Sequence, residues 1–347
     1  TGANFSGEKG GRPVLWLPLA PTWACPRGAE SARLLAMSTA ATPETLTSTG
    51  RPRPTVLIIG GGPGGIAAGI WAVRLGLHPH LIEARPRLGG QLLSVHSPIT
   101  DYPGIQDVDG PALAARFIEH LLALDIEVSL EARVASIEAP SGVVHTTSGQ
   151  ALRGDAIIVA TGALRRRLGL EGEQALVGRG VSYSVSKDRD RAAGRDAVVV
   201  GGGDSAVEGA ASLAARCPQV HLVHRSALSA RPDFVQALLG PPNMRLHERR
   251  EVGGLRGAAA LESVLLDEGT EIPCATLFIR IGVEPVTGFA REALPCDDRG
   301  FLLVDAHQRC RDRVYAVGDV CSPDSMAVSV ATGQAMMACK HIQSSWR

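Results

Sequence analysis

The sequence predicts an α/β fold built from two Rossmann-like, three-layer units, and three observations carry that prediction. Two apolar, β-branched runs, TVLIIG from Thr55 and DAVVV from Asp196, each lead through a glycine-rich turn into a helix-like segment. Each helix is followed by a further strand, so one βαβ order occurs twice, about 140 residues apart. Length and composition agree: 347 residues allow about two domains at ~150 residues each, and 45% hydrophobic content supplies a core for both.

Taken in order, residues 1–52 are set apart as a leader or upstream sequence. The first Met is Met37, Val14 to Ala24 is a short apolar stretch broken by Pro18 and Pro21, and Ser38 to Pro54 is rich in Ser, Thr, Pro and Ala. No run approaches the ~18 apolar residues that a membrane span needs. After the Thr55 strand, a helix is expected from about Gly64 to Leu75 and a strand from His80 to Glu83. Gly110 and Pro111 suit a helix start and predict a helix over 111–124. Strand-like pieces follow at Glu127 to Leu130 and Val143 to Thr147, and DAIIVA at 155–160 reads as a core strand. The second unit comprises a strand at Asp196 to Val200, a helix to about Ala215 and a strand at Gln219 to His224. Strands are then expected at Ala275 to Arg280, Phe301 to Val304 and Val314 to Val317. A last helix covers Val328 to Gln343, with Ala331, Ala335 and Ala338 at close-packing positions.

Lys plus Arg and Asp plus Glu both number 35, so no net basic field gathers nucleic acid or anionic lipid. The seven cysteines, at 25, 217, 274, 296, 310, 321 and 339, contain no C-x-x-C and no metal-ligand spacing. That predicts no metal centre, and free thiols in a reducing cytoplasm.

The first glycine turn, Gly60-Gly61-Gly62-Pro63-Gly64-Gly65, satisfies G-x-G-x-x-G. Gly60 permits the tight turn, Gly62 admits a pyrophosphate to the backbone, and Gly65 lets helix and strand pack closely. The phosphates of a bound dinucleotide then meet a helix N-terminus, where free N–H groups favour negative charge. Glu83, 23 residues after Gly60, accepts hydrogen bonds from a ribose and repels a 2′-phosphate, so this turn suits FAD or NAD. The second turn, Gly201-Gly202-Gly203-Asp204-Ser205-Ala206, satisfies G-x-G-x-x-A. In place of Glu83 it has His224 and Arg225, with Arg231 nearby, cations that pair with a 2′-phosphate and point to NADP.

Seven segments together resemble low-molecular-weight thioredoxin reductases and the related thioredoxin-reductase-like ferredoxin-NADP reductases. They are GGGPGG at 60–65, GGQL at 89–92, DYPG at 101–104, ATGA at 160–163, GRGVSY at 178–183, GGGDSA at 201–206 and VYAVGDV at 314–320. The resemblance runs from about Thr55 to the C-terminus and implies an NAD(P) domain inserted into a split FAD domain. On that basis the FAD domain is 53–167 and 286–347, and the NAD(P) domain is 168–285. A homodimer is also implied. FAD would be held by the first turn with Glu83, Gly90, Gln91, Asp101, Ala160, Thr161, Gly162, Gly318 and Asp319.

Three departures bear on function. Where thioredoxin reductases carry C-A-T-C-D, this chain has Ser184-Val185-Ser186-Lys187-Asp188, so both redox cysteines are missing. Neither Ser184 nor Lys187 can form the disulfide that passes electrons to a protein substrate. Asp188 reads as part of a solvated charged turn. The family's phosphate clamp is thinned to His224, Arg225 and a late Arg231, which reduces NADPH to a lean and leaves NADH open. Finally, Met326 and Ala327 stand where the family often places an Arg-Gln pair beside the flavin. The expected function is an NAD(P)H-dependent flavoprotein oxidoreductase that passes hydride to FAD and electrons to an external acceptor, a small redox protein or small molecule. The alternatives are a ferredoxin- or flavodoxin-NADP reductase, an FAD-binding redox sensor without turnover, and a replacement thiol pair such as Cys321 with Cys339.

Overall fold

The computed structural model describes residues 53–95 and 98–346. The leader read at 1–52, with Met37 and Cys25, lies outside the described residues. Strand β1 (Thr55–Ile59) enters helix α1 (Pro63–Arg74), which returns to β2 (His78–Ile82). Helix α2 (Gly110–Leu122) then leads to β3 (Glu127–Ser129), an antiparallel meander of β4 (Val134–Glu138), β5 (Val143–Thr146) and β6 (Ala151–Arg153), and the core strand β7 (Ala156–Val159).

Strand β8 (Ala163–Arg165) leads to the second unit, which begins with α3 (Glu173–Leu176), β9 (Val181–Ser182) and α4 (Val185–Ala192). Its βαβ core is β10 (Ala197–Val200), α5 (Asp204–Ala214) and β11 (Val220–His224), followed by α6 (Pro232–Leu239) and β12 (Met244–Glu248). A second meander, β13 (Val252–Arg256), β14 (Ser263–Leu266) and β15 (Glu271–Pro273), precedes β16 (Thr276–Ile279). Strand β17 (Val283–Pro285) pairs back with β8, and β18 (Arg309–Arg311), β19 (Val314–Ala316) and α7 (Val328–Ser345) complete the fold.

The first sheet has the order β18-β19-β7-β1-β2-β3 and the second β12-β11-β10-β16-β9. Each central strand therefore has its βαβ partner on one side and a late strand on the other, which creates the switch point where α/β sheets bind ligands. The first sheet takes strands from both sides of the second in the sequence, as an inserted unit requires. Along β1 the side chains alternate: Val56 and Ile58 face α1 and α7, while Leu57 and Ile59 face the first meander. All four are buried, and each buried aliphatic of this size contributes roughly 1.5–3 kcal/mol. Ala335 and Ala338 of α7 are fully buried in the α1 face, and Ala331 lies against Gly64, so small residues set the close helix approach.

Two expectations need correction. Phe301 to Val304 is not a strand: Leu302 makes a single bridge to Cys296, because Leu302 N is engaged by Val320 O. Asp188 is not in a solvated turn. It lies on α4, largely shielded, where Ser182 Oγ donates to it at 2.7 Å and Arg191 pairs with it at 3.6 Å. Charge density alone could not reveal that the hydroxyl of Ser182 would fold back onto it.

Buried and half-buried imidazoles set a pH limit on this fold. Burial holds His80, His221 and His247 below the ordinary 6.5, with Glu127 partly offsetting the effect at His80 and the His221–His247 pair adding to it at His221. A folded-state value below the unfolded one means that the unfolded chain binds more protons as pH falls through 6.5, so stability is lost below that pH. The thermal midpoint is expected to drop by roughly a few degrees between pH 7.5 and 5.5. His80→Gln, which keeps a partner for Ser129 Oγ, is expected to flatten that slope in differential scanning calorimetry.

Candidate active site

Strand and turn share one register in both units. Gly60 N donates to Ile82 O at 2.8 Å and Gly201 N to Val223 O at 3.0 Å, which fixes Glu83 and His224 as equivalent positions. Both turns need glycine conformations: φ is +110° at Gly60 and +138° at Gly201. A Cβ on Gly65 would stand 1.8 Å from Gly60 O, so helix and turn are in direct backbone contact. Helices α1 and α5 start without a side-chain cap, leaving their first N–H groups open to an anion.

Around the first turn lies a groove of about 400 Å³. At one end Glu83 is buried, with Gly61 N donating to Oε2 at 2.6 Å and Arg85 N to Oε1 at 2.8 Å. Each oxygen keeps a lone pair for a ribose diol. At the other end Gln91 Nε2 donates to Asp319 Oδ2 at 3.0 Å, joining the GGQL and GDV segments across the groove. Burial raises the Asp319 carboxyl above its ordinary range, and the Gln91 hydrogen bond works against that rise. Thr161 Oγ1 donates to Val286 O at 2.7 Å and ties the ATGA turn to the returning chain. Uncapped N–H donors, a glycine surface and a half-used carboxylate fit FAD.

Of the residues singled out in the sequence, Gly60, Gly62, Pro63, Glu83, Gly90, Gln91, Ala160, Thr161, Gly162, Gly318, Asp319, Met326 and Ala327 all line this groove. Gly65 acts behind it, through packing. Asp101 stands apart: its residue is exposed, and Ser329 Oγ reaches its carbonyl at 3.5 Å at the start of α7. Val286, Phe289 and Gln334 were not singled out by sequence reasoning. Val286 and Phe289 line the groove, while Gln334 Oε1 accepts from Gly318 N at 2.7 Å and so orients the turn bearing Asp319. No local motif marks them; they come together through the tertiary fold.

At the second turn, His224 is buried, its Nδ1 donates to Ser226 O at 2.7 Å, and its Nε2 has no partner. Arg225 is exposed at the strand end. Arg231 is not left free for a phosphate: its backbone N and its Nε donate to the two oxygens of Asp204 at 2.8 and 2.9 Å, and its guanidinium stacks on Phe234. Ser205 is exposed in the first turn of α5, and Ala206 packs under Gly201.

Ser184 is the N-cap of α4, its Oγ accepting from Lys187 N at 3.4 Å, and Lys187 is exposed. Tyr183 OH donates to Glu173, which also accepts from Gly169 N and Leu170 N, so the segment leading to α4 is held firmly. Cys321 follows the GDV turn with its thiol pushed up to about 11 by burial. Cys339 belongs to the α1 face of the sheet and Cys321 to the meander face, and both are free. Among the described residues no group of three His, Cys, Asp or Glu could hold a metal, and no helix is long and apolar enough to cross a membrane.

Two nucleotide loops, each at the switch point of a mainly parallel sheet, define a two-dinucleotide flavoprotein oxidoreductase. The family described as pyridine nucleotide-disulphide oxidoreductase matches residues 54–335, and the chain belongs to that family. The chain is similar to the thioredoxin reductase of Treponema pallidum, 30% identical over 292 residues that cover 82% of this chain and 94% of the relative. It is also similar to the alkyl hydroperoxide reductase F protein of Pseudomonas putida, 33% identical over 82% of this chain, although it spans only 56% of that protein's length. The solved thioredoxin reductase of Streptococcus pyogenes has a TM-score of 0.67 at 30% identity, covering 84% of this chain and 97% of that one. The chain is accordingly an NAD(P)H-dependent flavoprotein oxidoreductase.

Proposed function

We propose that this oxidoreductase passes electrons from NAD(P)H through FAD directly to an external acceptor, without a dithiol of its own. Bound FAD supplies the redox chemistry between the two substrates. The chain's own residues bind and orient: Glu83 and the α1 N-terminus hold the adenosine and phosphates, and Gln91, Thr161 and Asp319 fix the far end of the groove. The observation that carries the reading is Ser184 as the cap of α4, with Lys187 at the place of the second cysteine. Raised thiols at Cys310, Cys321 and Cys339, pushed up to about 12, 11 and 12, support it, since a reactive pair needs thiolate at neutral pH. We further propose the division 53–167, 168–285 and 286–347, a homodimer, and a cytoplasmic setting. Steady-state assays with a redox dye, a quinone, a ferredoxin and an oxidised thioredoxin test the reading. Turnover is expected with at least one of the first three and not with thioredoxin; thioredoxin reduction at a comparable rate would overturn it.

Coenzyme choice rests on Arg225 and His224, because Asp204 engages Arg231. We infer a modest preference for NADPH. Arg225→Ala is expected to weaken NADPH binding about tenfold with little change for NADH, as loss of one charge-assisted contact implies. Arg231→Ala is expected to have a smaller effect on the NADPH-to-NADH ratio. Titration calorimetry on the two variants checks both expectations.

A further inference from the structure

The two units share one register, and that register exposes a difference at the strand across the switch point. Ala160 N donates to Ile59 O and Arg280 N donates to Val200 O, each at 2.8 Å. A Cβ on Gly60 would stand 2.5 Å from Ala160 O, and one on Gly201 would stand 2.3 Å from Arg280 O. Arg280 in the second unit is thus the counterpart of Ala160, which lines the groove of the first. Where the first unit places a methyl group, the second places a guanidinium.

That guanidinium is poorly compensated. Its Nη1 donates to Tyr183 O at 2.7 Å, and its Nε is buried without a partner. Arg165, paired opposite Val283 between β8 and β17, adds a second positive charge that repels it, and the charge of Glu208 partly offsets this. Among the described residues neither arginine has a carboxylate within the 4.0 Å of an ion pair. A dinucleotide at such a switch point puts its adenosine over the strand after the first helix, here β11, and its pyrophosphate at the α5 N-terminus. Its nicotinamide half then extends to the β16 side, where Arg280 stands.

We propose that Arg280, backed by Arg165, is a charge-selective element of the coenzyme site that favours reduced over oxidised nicotinamide. The inference rests on the second turn being the NAD(P) site. Both redox forms carry the same adenosine and pyrophosphate, so any attraction of Arg280 for those groups cancels in the ratio of their affinities. The forms differ by the positive charge of the oxidised ring, which a nearby cation disfavours. Such selectivity speeds release of the oxidised coenzyme and lets turnover proceed as it accumulates.

The test is equilibrium binding of NADH, NAD⁺, NADPH and NADP⁺ to the FAD-loaded protein, wild type and Arg280→Met. The ratio of affinities, reduced over oxidised, is expected to fall about tenfold in Arg280→Met, a unit charge at roughly 10 Å in protein surroundings being worth that much. Arg280→Lys is expected to keep most of the ratio. Arg165→Met is expected to shift it in the same direction by less, and it carries the test if Arg280→Met loses flavin or its circular dichroism. Equal weakening of both forms would make Arg280 a phosphate ligand and overturn the proposal, as would an unchanged ratio. If the wild-type protein bound none of the four, the reading of the second turn would fail instead.

Discussion

Gly65→Ala is expected to yield protein without flavin. The added methyl would lie 1.8 Å from Gly60 O and 3.0 Å from Gly60 C, both backbone atoms of the turn that must cradle the phosphates. Neither can move without breaking the Gly60 N hydrogen bond to Ile82 O that registers β1 against β2. The helix would have to retreat from the turn, carrying its open N–H groups away from the site they create. Retention of FAD after gel filtration, read from the ratio of visible to protein absorbance, is expected to fall by at least about 100-fold, the equivalent of losing several charge-assisted contacts. Gly240→Ala is the matched control: a Cβ there meets its nearest atom at 3.7 Å, and flavin content is expected to stay as in wild type. Full flavin in Gly65→Ala would show that the first turn is not the FAD site.

The second large effect is a gain. In the double variant Ser184→Cys with Lys187→Cys, the new cysteines occupy the N-cap and third position of α4, where Ser184 Oγ already accepts from Lys187 N. A thiol at a helix N-terminus ionises more readily because the helix end favours negative charge. Reduction by NAD(P)H is expected to generate two thiols per chain in the variant and none in wild type, and reduction of a small disulfide is expected to rise at least about tenfold above background. Thiol titration before and after anaerobic reduction checks the first outcome and a dithionitrobenzoate assay the second. No new thiols in the variant would mean that α4 does not approach the flavin in any state of the protein.

Much of this was legible in the sequence because the signals are local. A glycine turn between an apolar run and a helix is set by backbone geometry within a few residues, and Glu83 follows at a spacing fixed by one helix and one strand. The principal sheet strands lie within a residue or two of their expected places for the same reason, since buried parallel strands are written as continuous β-branched runs. What could not be read depends on the fold bringing distant residues together. Arg231 reads as a phosphate ligand in the sequence, and only the fold shows Asp204, 27 positions earlier, on the same side of the turn. Asp188 reads as solvated because nothing local shows Ser182 folding back onto it. Arg280 looks like the polar end of a strand, and its meaning comes from register: only the matched hydrogen bonds to Ile59 O and Val200 O show that it stands where the first unit has Ala160. Short strands such as β4 and β6, with irregular burial along their length, leave little periodic trace.

On the proposed path, electrons reach the flavin from NAD(P)H and leave it without passing through a thiol pair of this chain. That path is tested most directly by anaerobic titration of the FAD-loaded wild-type protein with NADPH, and separately with NADH, following the flavin absorbance and the number of reactive thiols in the same samples. The prediction is complete bleaching of the flavin band by at least one coenzyme with no change in the thiol count. A band that stays yellow under excess of both coenzymes, or bleaching accompanied by two new thiols per chain, would contradict it.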